Sequence, residues 1–281
     1  MILSFHPVII ADVQIILGDR SLSGDDLSLI HDAKAIILPQ SCSRELYRTC
    51  RESSARLYPN YDVRYAYEGK IGQSLLFHER GWPHPATTRW SSVEAFVLHE
   101  AQGVLPHRPP FFLKRNMCHE GDGVYLIQGS SDLQIALEDI RRKGDSGFIS
   151  QDLVPTEGNV LRTVILGRRI VTYWKRPAVP EQMVTTVSAG SVIDETWMPE
   201  LQEKGVVQAM QVSRDSGINL AAVDFVFSLS HPEPQPLILE INYYFGRRGL
   251  GGSLRYYRLL MDAVRGWLEE NGFDPERVSL V

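Results

Sequence analysis

The chain has 281 residues, of which 43% are hydrophobic and 22% are charged, and its formal net charge at pH 7 is −5. This is the composition of an ordinary globular protein with one large or two medium domains. The negative charge argues against non-specific binding of nucleic acid through a basic surface, so we expect no nucleic-acid partner.

The cysteines and the N-terminal residues indicate in which cellular compartment the protein is expected. Cys42, Cys50 and Cys118 are odd in number and lack the spacing of a zinc site, which argues against a disulfide framework. The first residues lack a basic leading region, Asp12 interrupts the next apolar stretch, and no apolar run reaches the length of a membrane span. We therefore expect a cytoplasmic protein with no signal peptide and no membrane partner.

Residues 1–82 are typical of a small α/β domain. The predicted elements, three strands and then two helices, cover 8–10, 13–17, 35–38, 44–57 and 69–81. Gly81 closes the last helix, and Trp82-Pro-His-Pro85 stops it and forms a connector. We place a domain boundary after residue 82.

Residues 83–281 form the predicted second domain, with subdomains at 83–150 and 151–281. In the first subdomain, helices are predicted at 92–101 and 132–143, and strands at 110–114, 124–127 and 147–151. Ser91 or Ser92 caps the first of these helices, and Gly144 closes the second. The second subdomain is strand-rich, with strands at 160–166 and 169–175, then a hairpin and a final helix at 254–271. The expected fold class is α+β.

The predicted hairpin lies near the C-terminus. Two apolar, β-rich stretches, 221–227 and 236–242, flank a Pro-rich break that is typical of a turn. If the chain folds back about residue 232, Asp224 lies directly opposite Glu240 across the hairpin.

The hairpin also predicts a metal site. Strand alternation places Asn242 on the face of Glu240, whereas Leu239 and Ile241 are expected to point into the core. Two facing carboxylates repel each other unless a cation lies between them. With Asp224 they form an all-oxygen set suited to Mg²⁺, or to Mn²⁺ in its place, in contact with phosphate oxygens. The alternative is that Glu240 and Asn242 lie on a solvated sheet face.

A glycine-containing loop lies between two predicted strands at 115–123. Gly121 and Gly123 would let its backbone N–H groups fold over a polyphosphate, and Lys114 stands at the strand end before it. The loop matches neither the GxxxxGK[ST] nor the GxGxxG pattern, so it does not support those nucleotide folds. The alternative is an ordinary hairpin loop beside a surface lysine.

Two arginines stand in or at the end of apolar strands. Arg162 lies within 160–165, and Arg176 ends the strand 170–176. An arginine on a covered strand face needs a partner, and Asp224 or Glu240 would serve in a structural ion pair. Alternatively, the arginines and acids together surround metal-bound phosphate, where arginine stabilises the charge of phosphoryl transfer.

The segment 246–253 follows the proposed metal strand directly. Its glycines let the backbone approach a ligand closely, and Arg247 and Arg248 indicate an anionic substrate group. Ser253, at the start of the last helix, would donate a hydrogen bond to a carboxylate there. A solvated surface loop is the alternative. The eight histidines show no metal-binding spacing, and no Ser-His-Asp or Cys-His set is evident.

The order of these motifs resembles that of a known superfamily. The motifs are Glu68-Gly-Lys70, Gly81-Trp-Pro-His-Pro-Ala-Thr87, Phe112-Leu-Lys114, Gly121-Asp-Gly-Val124, Ser150-Gln-Asp-Leu-Val154, Val160-Leu-Arg162, Lys175-Arg176, Asp224 and Glu240-Ile-Asn242. Over residues 66–260 the chain resembles the ATP-grasp superfamily. The nearest branch is the RimK-like ligases, which include ribosomal-protein glutamate ligase and bacterial glutathione synthetase.

The resemblance implies an ATP-grasp fold, in which two α+β subdomains clamp ATP, preceded by a pre-ATP-grasp α/β domain. The residues expected to bind ATP are Lys70, Lys114, Gly121 and Gly123 at the phosphates, Gln151, Leu153 and Val154 at the adenine, and Glu157 at the ribose. Asp224, Glu240 and Asn242 would hold Mg²⁺.

The resemblance further implies an ATP- and Mg²⁺-dependent carboxylate–amine ligase that works through an acylphosphate. Arg162 and Arg176 would offset charge in the transition state. The partners would be a small-molecule or peptide substrate with a carboxylate and an amine acceptor, and a homodimer is compatible with the sequence. A small-molecule kinase and a non-catalytic ATP-binding module on the same fold are the alternatives.

The chain departs from the family pattern at three places. Val160 replaces an acidic residue, the segment 183–190 replaces an Arg-x-Asn and a double glycine, and 243–249 replaces a Pro-Gly. These changes lie mostly on the acceptor side. We therefore still expect ATP and Mg²⁺ to bind, but the resemblance does not define the substrate.

Overall fold

The computed structural model describes residues 1–103, 105–118, 122–144, 147–179 and 190–281. The N-terminal unit is a parallel sheet with helices. Its elements are β1 (Ile2–Ser4), β2 (Ile9–Ile10), β3 (Val13–Gln14), α1 (Gly24–Asp32), β4 (Ala35–Ile37), α2 (Arg44–Glu52), β5 (Arg56–Tyr58), α3 (Asp62–Ala66) and α4 (Gly69–Glu79). The sheet order is β3-β1-β4-β5 and its pairings are parallel, which confirms an α/β unit.

One predicted helix of this unit is too long. The helix predicted over 44–57 ends at Glu52, because Ser53 adopts an extended backbone and the chain turns into β5. The helix was predicted to reach Leu57 because Leu46, Cys50 and Leu57 have helical spacing. Leu57 instead pairs with Ile36 at the edge of the sheet. Tertiary pairing therefore overrides the local periodicity at this point.

The middle unit is an antiparallel sheet with two helices on one face. Its elements are β6 (Thr87–Trp90), α5 (Val93–Ala101), β7 (Phe111–Arg115), β8 (Val124–Ile127), α6 (Ser130–Lys143) and β9 (Phe148–Asp152), in the sheet order β6-β9-β7-β8. Ser92 caps α5 by accepting from the N–H of Ala95, and Gly144 ends α6 with φ of 68°. Both predicted helix ends are thus confirmed.

The last unit contains a five-stranded sheet. Its elements are β10 (Val160–Leu166), β11 (Arg169–Arg176), β12 (Val192–Asp194), α7 (Pro199–Ser216), β13 (Leu220–Val226), β14 (Leu237–Asn242), α8 (Gly252–Glu270) and β15 (Ser279–Leu280). The order β12-β11-β10-β13-β14 is antiparallel, and β15 returns to pair with β2 of the first unit. The domain boundaries at residues 82 and 150 stay predictions. In the described part of the chain, no helix is both long and apolar enough to cross a membrane.

The hairpin register is the one predicted from the sequence. Asp224 lies opposite Glu240, and a bulge follows at Phe225, which pairs with Ile238. The extra residue turns Leu239 away from the core, so it lines the cavity described below. The prediction that Leu239 points into the core is therefore wrong, whereas Ile241 is buried as expected.

The two faces of the last sheet are covered unequally. Apolar residues of one face, among them Leu161 and Val223, pack with α7 and α4 in one core. On the opposite face, Val164 and Leu166 pack with residues of α8. Arg162 belongs to that second face but lies toward the other end of β10, beside the cavity. The polar strand residues lie on the part of this face that α8 does not cover.

A glutamine of α4 completes the exposed edge of β14. Gln73 donates from Nε2 to the carbonyl of Ile241 at 2.9 Å and accepts from its N–H at 2.8 Å. Farther along the same edge, the N–H of Ile238 donates to the carbonyl of Pro83 at 2.8 Å. These bonds satisfy backbone groups that an edge strand leaves open, and they fix α4 against the cavity.

We expect Gln73→Ala to lower the free energy of unfolding by about 1–3 kcal/mol, because two backbone groups lose their partners. Urea unfolding of the wild type and the variant measures the difference. Gln134→Ala, on the exposed surface of α6, is the matched control and should change stability by less than about 0.5 kcal/mol. Equal effects of the two substitutions would contradict this role of Gln73.

Candidate active-site cleft

A cavity of about 780 Å³ lies between the middle sheet and the last sheet, and the N-terminal unit closes one end of it. We call this cavity the cleft. The middle sheet contributes Thr87, Lys114, Val124, Ile149 and Gln151, which lie on the face opposite α5 and α6. The last sheet contributes Arg162, Tyr173, Lys175, Leu239, Glu240 and Asn242.

Asp224 is held by two cations under the cleft floor. Both its carboxylate oxygens accept from Arg162, at 2.8 and 2.7 Å, and Lys175 donates to Oδ2 at 2.8 Å. Only 1% of the aspartate is exposed. Burial alone would raise the pKa of Asp224, but the charges of Arg162 and Lys175 outweigh it and hold the pKa well below its usual range. The structural ion pair considered for Arg162 is therefore present.

We expect Asp224→Asn to lower the free energy of unfolding by about 3–5 kcal/mol at neutral pH, because two buried cations lose their counter-charge. Denaturant unfolding measures the loss. The pKa of Asp224 is lower in the folded state than in the unfolded state. The stability that its ion pairs contribute is therefore complete above the ordinary aspartate pKa, and it is lost as pH falls from there through the folded-state pKa. The gap between variant and wild type should therefore narrow in acid.

The matched control for Asp224→Asn is Glu270→Gln, which removes the acid of a surface pair with Arg168. That change should cost less than about 1 kcal/mol. A loss in Asp224→Asn no greater than in this control would contradict the buried ion-pair network.

Glu240 and Asn242 stand beside this network on the cleft floor. Asn242 donates from Nδ2 to Oε1 of Glu240 at 2.9 Å, and the same nitrogen lies 3.4 Å from Oδ2 of Asp224. Glu240 makes no salt bridge within the described residues. Its charge nonetheless acts on Lys70 and Lys114 across the cleft, where it favours their protonated forms.

The donor set suits Mg²⁺ at Glu240 and Asn242. Nowhere in the described residues do three His, Cys, Asp or Glu side chains converge as a metal cluster. Mg²⁺ needs only one or two carboxylates when phosphate oxygens and water complete its shell. Oε2 of Glu240 accepts no hydrogen bond from any residue that the structure describes, whereas Oε1 accepts from Asn242. Asp224 already accepts from Arg162 and Lys175, so it would have to share its oxygens.

Two lysines face the floor from the opposite wall. Lys114 is 8% exposed, and its Nζ donates to Oε1 of Gln151 at 2.5 Å. Burial lowers its pKa to about 8, whereas Glu240 acts in the opposite direction. Lys70 donates to the backbone carbonyl of Cys118, and burial lowers its pKa as well. Neither lysine forms a salt bridge among the described residues, so this wall suits an anion.

Of the residues predicted to bind adenine and ribose, the structure places only some at the cleft. Gln151 lies in the cleft, where its Nε2 donates to Oγ1 of Thr87 at 2.9 Å. Leu153, Val154 and Glu157 follow β9 and are not among the residues that line the cleft. The structure therefore brings Gln151, but not these three residues, to the cavity.

The glycine loop is described only in part. Gly121 lies outside the described residues, as do residues 183–189 of the departing segment. Gly123 has φ of 64°, and a Cβ there would approach the Cδ of Arg115 to 2.8 Å. Its carbonyl accepts from the N–H of Arg115 at 2.9 Å. This close approach explains why glycine stands at position 123.

Arg176 points away from the cleft. Its Nη1 lies 2.9 Å from Oδ2 of Asp194, and its guanidinium lies 4.4 Å from the ring centroid of Trp197. In the β10–β11 ladder Val160 pairs with Lys175, so the lysine shares the face of Arg162 while Arg176 faces the opposite side. The structure thus places Lys175, and not Arg176, at the cleft floor.

Sequence reasoning missed Lys175 as a site residue. A signal existed: the strands 160–166 and 169–175 are joined by two residues, which fixes the pairing of the hairpin. That register places position 175 across from position 160 and on the face of Arg162.

The residues predicted to bind substrate also lie in two different places. Arg248 lines the cleft. Arg247 instead stacks on Tyr256 and Tyr257, with its guanidinium 4.9 and 4.5 Å from the ring centroids, and its Nη1 lies 3.5 Å from Oγ of Ser253. Arg247 and Ser253 therefore lie together, outside the cleft lining.

Curated relatives match part of this chain. A probable alpha-L-glutamate ligase of Xanthomonas oryzae pv. oryzae is 26% identical over 144 residues, which cover 51% of this chain and 46% of that protein. A protein of the same name from Rhodopirellula baltica is 22% identical over 146 residues, covering 52% of this chain and 34% of that protein. The match thus spans less than half the length of these relatives. No family model matches the chain.

Solved structures share the overall architecture. A D-alanine–D-alanine ligase from Bacillus anthracis superposes with a TM-score of 0.61 at 14% identity, covering 92% of this chain and 87% of that one. A RimK domain ATP-grasp protein from Sphaerobacter thermophilus gives 0.59 at 15% identity, over 82% and 81%. An ADP complex of N5-carboxyaminoimidazole ribonucleotide synthetase gives 0.61 at 15% identity, over 85% and 61%. Likeness at this level of identity establishes the fold.

Proposed function

We propose, on the premise that the chain has the ATP-grasp fold and is related in sequence to alpha-L-glutamate ligases, that it is an ATP-dependent carboxylate–amine ligase. The observation that carries the proposal is the arrangement of charge across the cleft. Buried Lys114 and half-buried Lys70, neither of which pairs with an acid among the described residues, face Glu240 and Asn242 across the cleft. Such a pairing of cations with an oxygen donor set suits a metal–polyphosphate ligand.

Each wall has a separate role in the proposed reaction. Lys70 and Lys114 bind the phosphates of ATP, and Glu240 with Asn242 holds Mg²⁺, which when bound neutralises charge on the phosphate oxygens. Arg162 and Lys175, held by Asp224, present positive charge at the floor where the γ-phosphoryl group is transferred. Gln151, fixed by Thr87 and Lys114, marks the part of the cleft proposed for the nucleotide base.

The proposed reaction has two balanced steps. A substrate carboxylate attacks the γ-phosphate, which forms an acylphosphate and releases ADP. An amine then attacks the acyl carbon, and the carbon–oxygen bond breaks to give the amide, inorganic phosphate and a proton. The protein supplies positioning and electrostatic stabilisation, as is typical of phosphoryl transfer. The substrate acid and amine are small molecules or peptides, and we place the protein in the cytoplasm.

A thermal-shift titration with ATP in the presence of Mg²⁺, and then of EDTA, tests the nucleotide site. Ligand binding to the folded state raises the melting temperature by mass action. A Mg²⁺-dependent rise, followed by release of ADP with an acid and an amine, would support the ligase. No shift at millimolar ATP would refute it. A phosphorylated product that accumulates without an amine would indicate a kinase instead, and binding without ADP release a non-catalytic module.

Lys114 makes the affinity for ATP depend on pH. Its pKa of about 8 in the free protein means that the lysine loses its proton as pH rises through this value. Because phosphate binds the protonated form, affinity should be constant below this pH and fall by up to about tenfold per pH unit above it. Calorimetry between about pH 7 and about pH 9 measures the change.

The control for this pH dependence is Lys114→Met, which should bind ATP weakly and with a flatter pH profile. Lys70, whose pKa burial also lowers, accounts for the residual slope. A wild-type affinity that stays constant over this pH range would contradict the role of Lys114.

A further inference from the structure

A chain of hydrogen bonds runs along the middle sheet from the connector after α4 to Lys114. Nζ of Lys114 donates to Oε1 of Gln151 at 2.5 Å, and Nε2 of Gln151 donates to Oγ1 of Thr87 at 2.9 Å. The hydroxyl of Thr87 in turn donates to the backbone carbonyl of Pro85 at 2.7 Å. Three consecutive bonds therefore join the lysine of this wall to the backbone of the connector.

The antiparallel register of three strands brings these side chains together. Thr87 on β6 lies directly opposite Gln151 on β9. Gln151 also lies opposite Phe112 on β7, and Lys114 follows two residues later on the same strand. Strand alternation places these four side chains on one face of the sheet. Thr87, Lys114 and Gln151 line the cleft, so the chain of bonds lies at its surface.

Only one direction of donation is possible along this chain. The ammonium group of Lys114 can only donate, and the carbonyl of Pro85 can only accept. The hydroxyl of Thr87 directs its single proton to Pro85, so its oxygen accepts from the amide nitrogen of Gln151. This contact turns the amide oxygen of Gln151 toward Lys114. The hydroxyl thus ensures that the lysine meets an acceptor and not a second donor.

Lys114 depends on this acceptor because burial removes most of its contact with water. The residue is 8% exposed, and a second contact of Nζ is the ring of Phe112, whose centroid lies 5.4 Å away. An amide oxygen favours the protonated amine, whereas an amide nitrogen in the same place would oppose it. The orientation of the Gln151 amide therefore affects both the charge and the position of the lysine.

We propose that Thr87 is a positioning residue for the phosphates of ATP, and that it acts through Gln151 on Lys114. The inference rests on the proposed function, in which Lys114 binds those phosphates. The sequence resemblance assigned Gln151 to adenine, and the chain of bonds gives it a second role toward the phosphates. The motif at 81–87 then contributes to nucleotide binding through its last residue.

Calorimetric titration with inorganic tripolyphosphate and with ATP, both in Mg²⁺, tests the inference. Tripolyphosphate has no base, so it reports on the phosphate wall alone. We expect Thr87→Val to weaken binding of tripolyphosphate by about tenfold, because a buried charged group loses its hydrogen-bond acceptor. Binding of ATP should weaken by at least as much. If Thr87→Val does not fold, Thr87→Ala removes the same hydroxyl at this half-buried position.

Two further variants are the controls. Thr87→Ser keeps the hydroxyl and should bind tripolyphosphate within about twofold of the wild type. Thr88→Val removes a hydroxyl from the next residue of β6, which is also half-buried but faces the other side of the sheet. This variant, too, should change the affinity by less than about twofold.

A double-mutant cycle shows whether Thr87 acts through Gln151. Gln151→Leu alone should weaken binding of tripolyphosphate by about tenfold, because leucine cannot accept from Lys114. With Gln151 already replaced, Thr87→Val should add little. Two independent effects that multiply to about 100-fold would contradict the proposed order of contacts.

The pH profile is a readout that a loss of packing would not move. The pKa of Lys114 is about 8, and Glu240 and Lys70 also act on it from across the cleft. Neither of these residues changes in Thr87→Val. The pH above which the affinity for tripolyphosphate falls should therefore be lower in this variant, and unchanged in Thr87→Ser. Comparison of the variants cancels the titration of the ligand itself.

Four results would overturn the inference: an unchanged affinity for tripolyphosphate in Thr87→Val, a loss confined to ATP, independent effects in the cycle, or a wild type that binds ATP but not tripolyphosphate. Failure of the wild type to bind either ligand at millimolar concentration would refute the proposed function, and the inference with it. The two failures are distinguishable, because only the second includes a wild type that does not bind ATP.

Discussion

Glu240→Ala is expected to lower ADP release by about 10³-fold or more, the largest effect of any single substitution in this chain. Glu240 is the carboxylate on the cleft floor that no cation of the described residues pairs with, and it faces both lysines of the opposite wall. Its removal leaves Asn242 without the acid that would hold Mg²⁺. Steady-state ADP release with saturating ATP, acid and amine measures the loss.

The dependence on Mg²⁺ makes this prediction specific. In Mg²⁺, the variant should lose most of the ATP-induced thermal shift. In EDTA, it should bind ATP at least as well as the wild type, because a negative charge near the phosphates has been removed. A general loss of folding cannot produce these opposite effects.

Glu233→Ala is the matched control, because Glu233 is an exposed glutamate in the turn of the same hairpin. It should leave ADP release and the thermal shift unchanged. The variant Glu240→Ala itself should fold, since among the described residues only Asn242 donates to this side chain, in a hydrogen bond worth about 1 kcal/mol. A Glu240→Ala protein that releases ADP at the wild-type rate would refute the metal assignment.

Sequence reasoning found the hairpin at the centre of the site because two independent signals agree there. The apolar pattern gives the strands, and the Pro-rich break gives the turn, so the opposition of Asp224 and Glu240 follows. Strand alternation then places Asn242 beside Glu240. Local chemistry determines these positions.

Other features depend on contacts that sequence patterns do not contain. The bulge after Asp224 reverses the orientation of Leu239. The identity of neither residue predicts a bulge at this point. The short strand β1 (Ile2–Ser4) is central to the first sheet only because β3 and β4 flank it. The 18-residue helix α7 was not predicted either, although Pro199 at its start and Gly217 at its end are ordinary helix-boundary residues.

Lys175→Met should lower ADP release by about 10²- to 10³-fold, whereas Arg176→Met should lower it by less than about threefold. The two residues are adjacent in sequence and carry the same charge, but they lie on opposite faces of β11. Lys175 lines the cleft and donates to Asp224 at 2.8 Å, while Arg176 pairs with Asp194. Kinetics at saturating ATP compare the two variants directly.

Stability has to be measured beside activity, because Lys175→Met also removes one of the two cations that hold Asp224. We expect this variant to lose about 1–3 kcal/mol of unfolding free energy, and Arg162 then carries the pair alone. Assays well below the melting temperature separate this loss from the catalytic effect.

The comparison of Lys175→Met with Arg176→Met decides between two registers of the same hairpin. The sequence resemblance assigned the catalytic role to Arg176, whereas the pairing of Val160 with Lys175 assigns it to the lysine. If Arg176→Met were the more damaging variant, the strand would be out of register by one residue, which would turn every side chain of β11 to the opposite face. Trp174 is fully buried in the core between the sheet and α7. It would then have to face the cleft, at a large cost in stability.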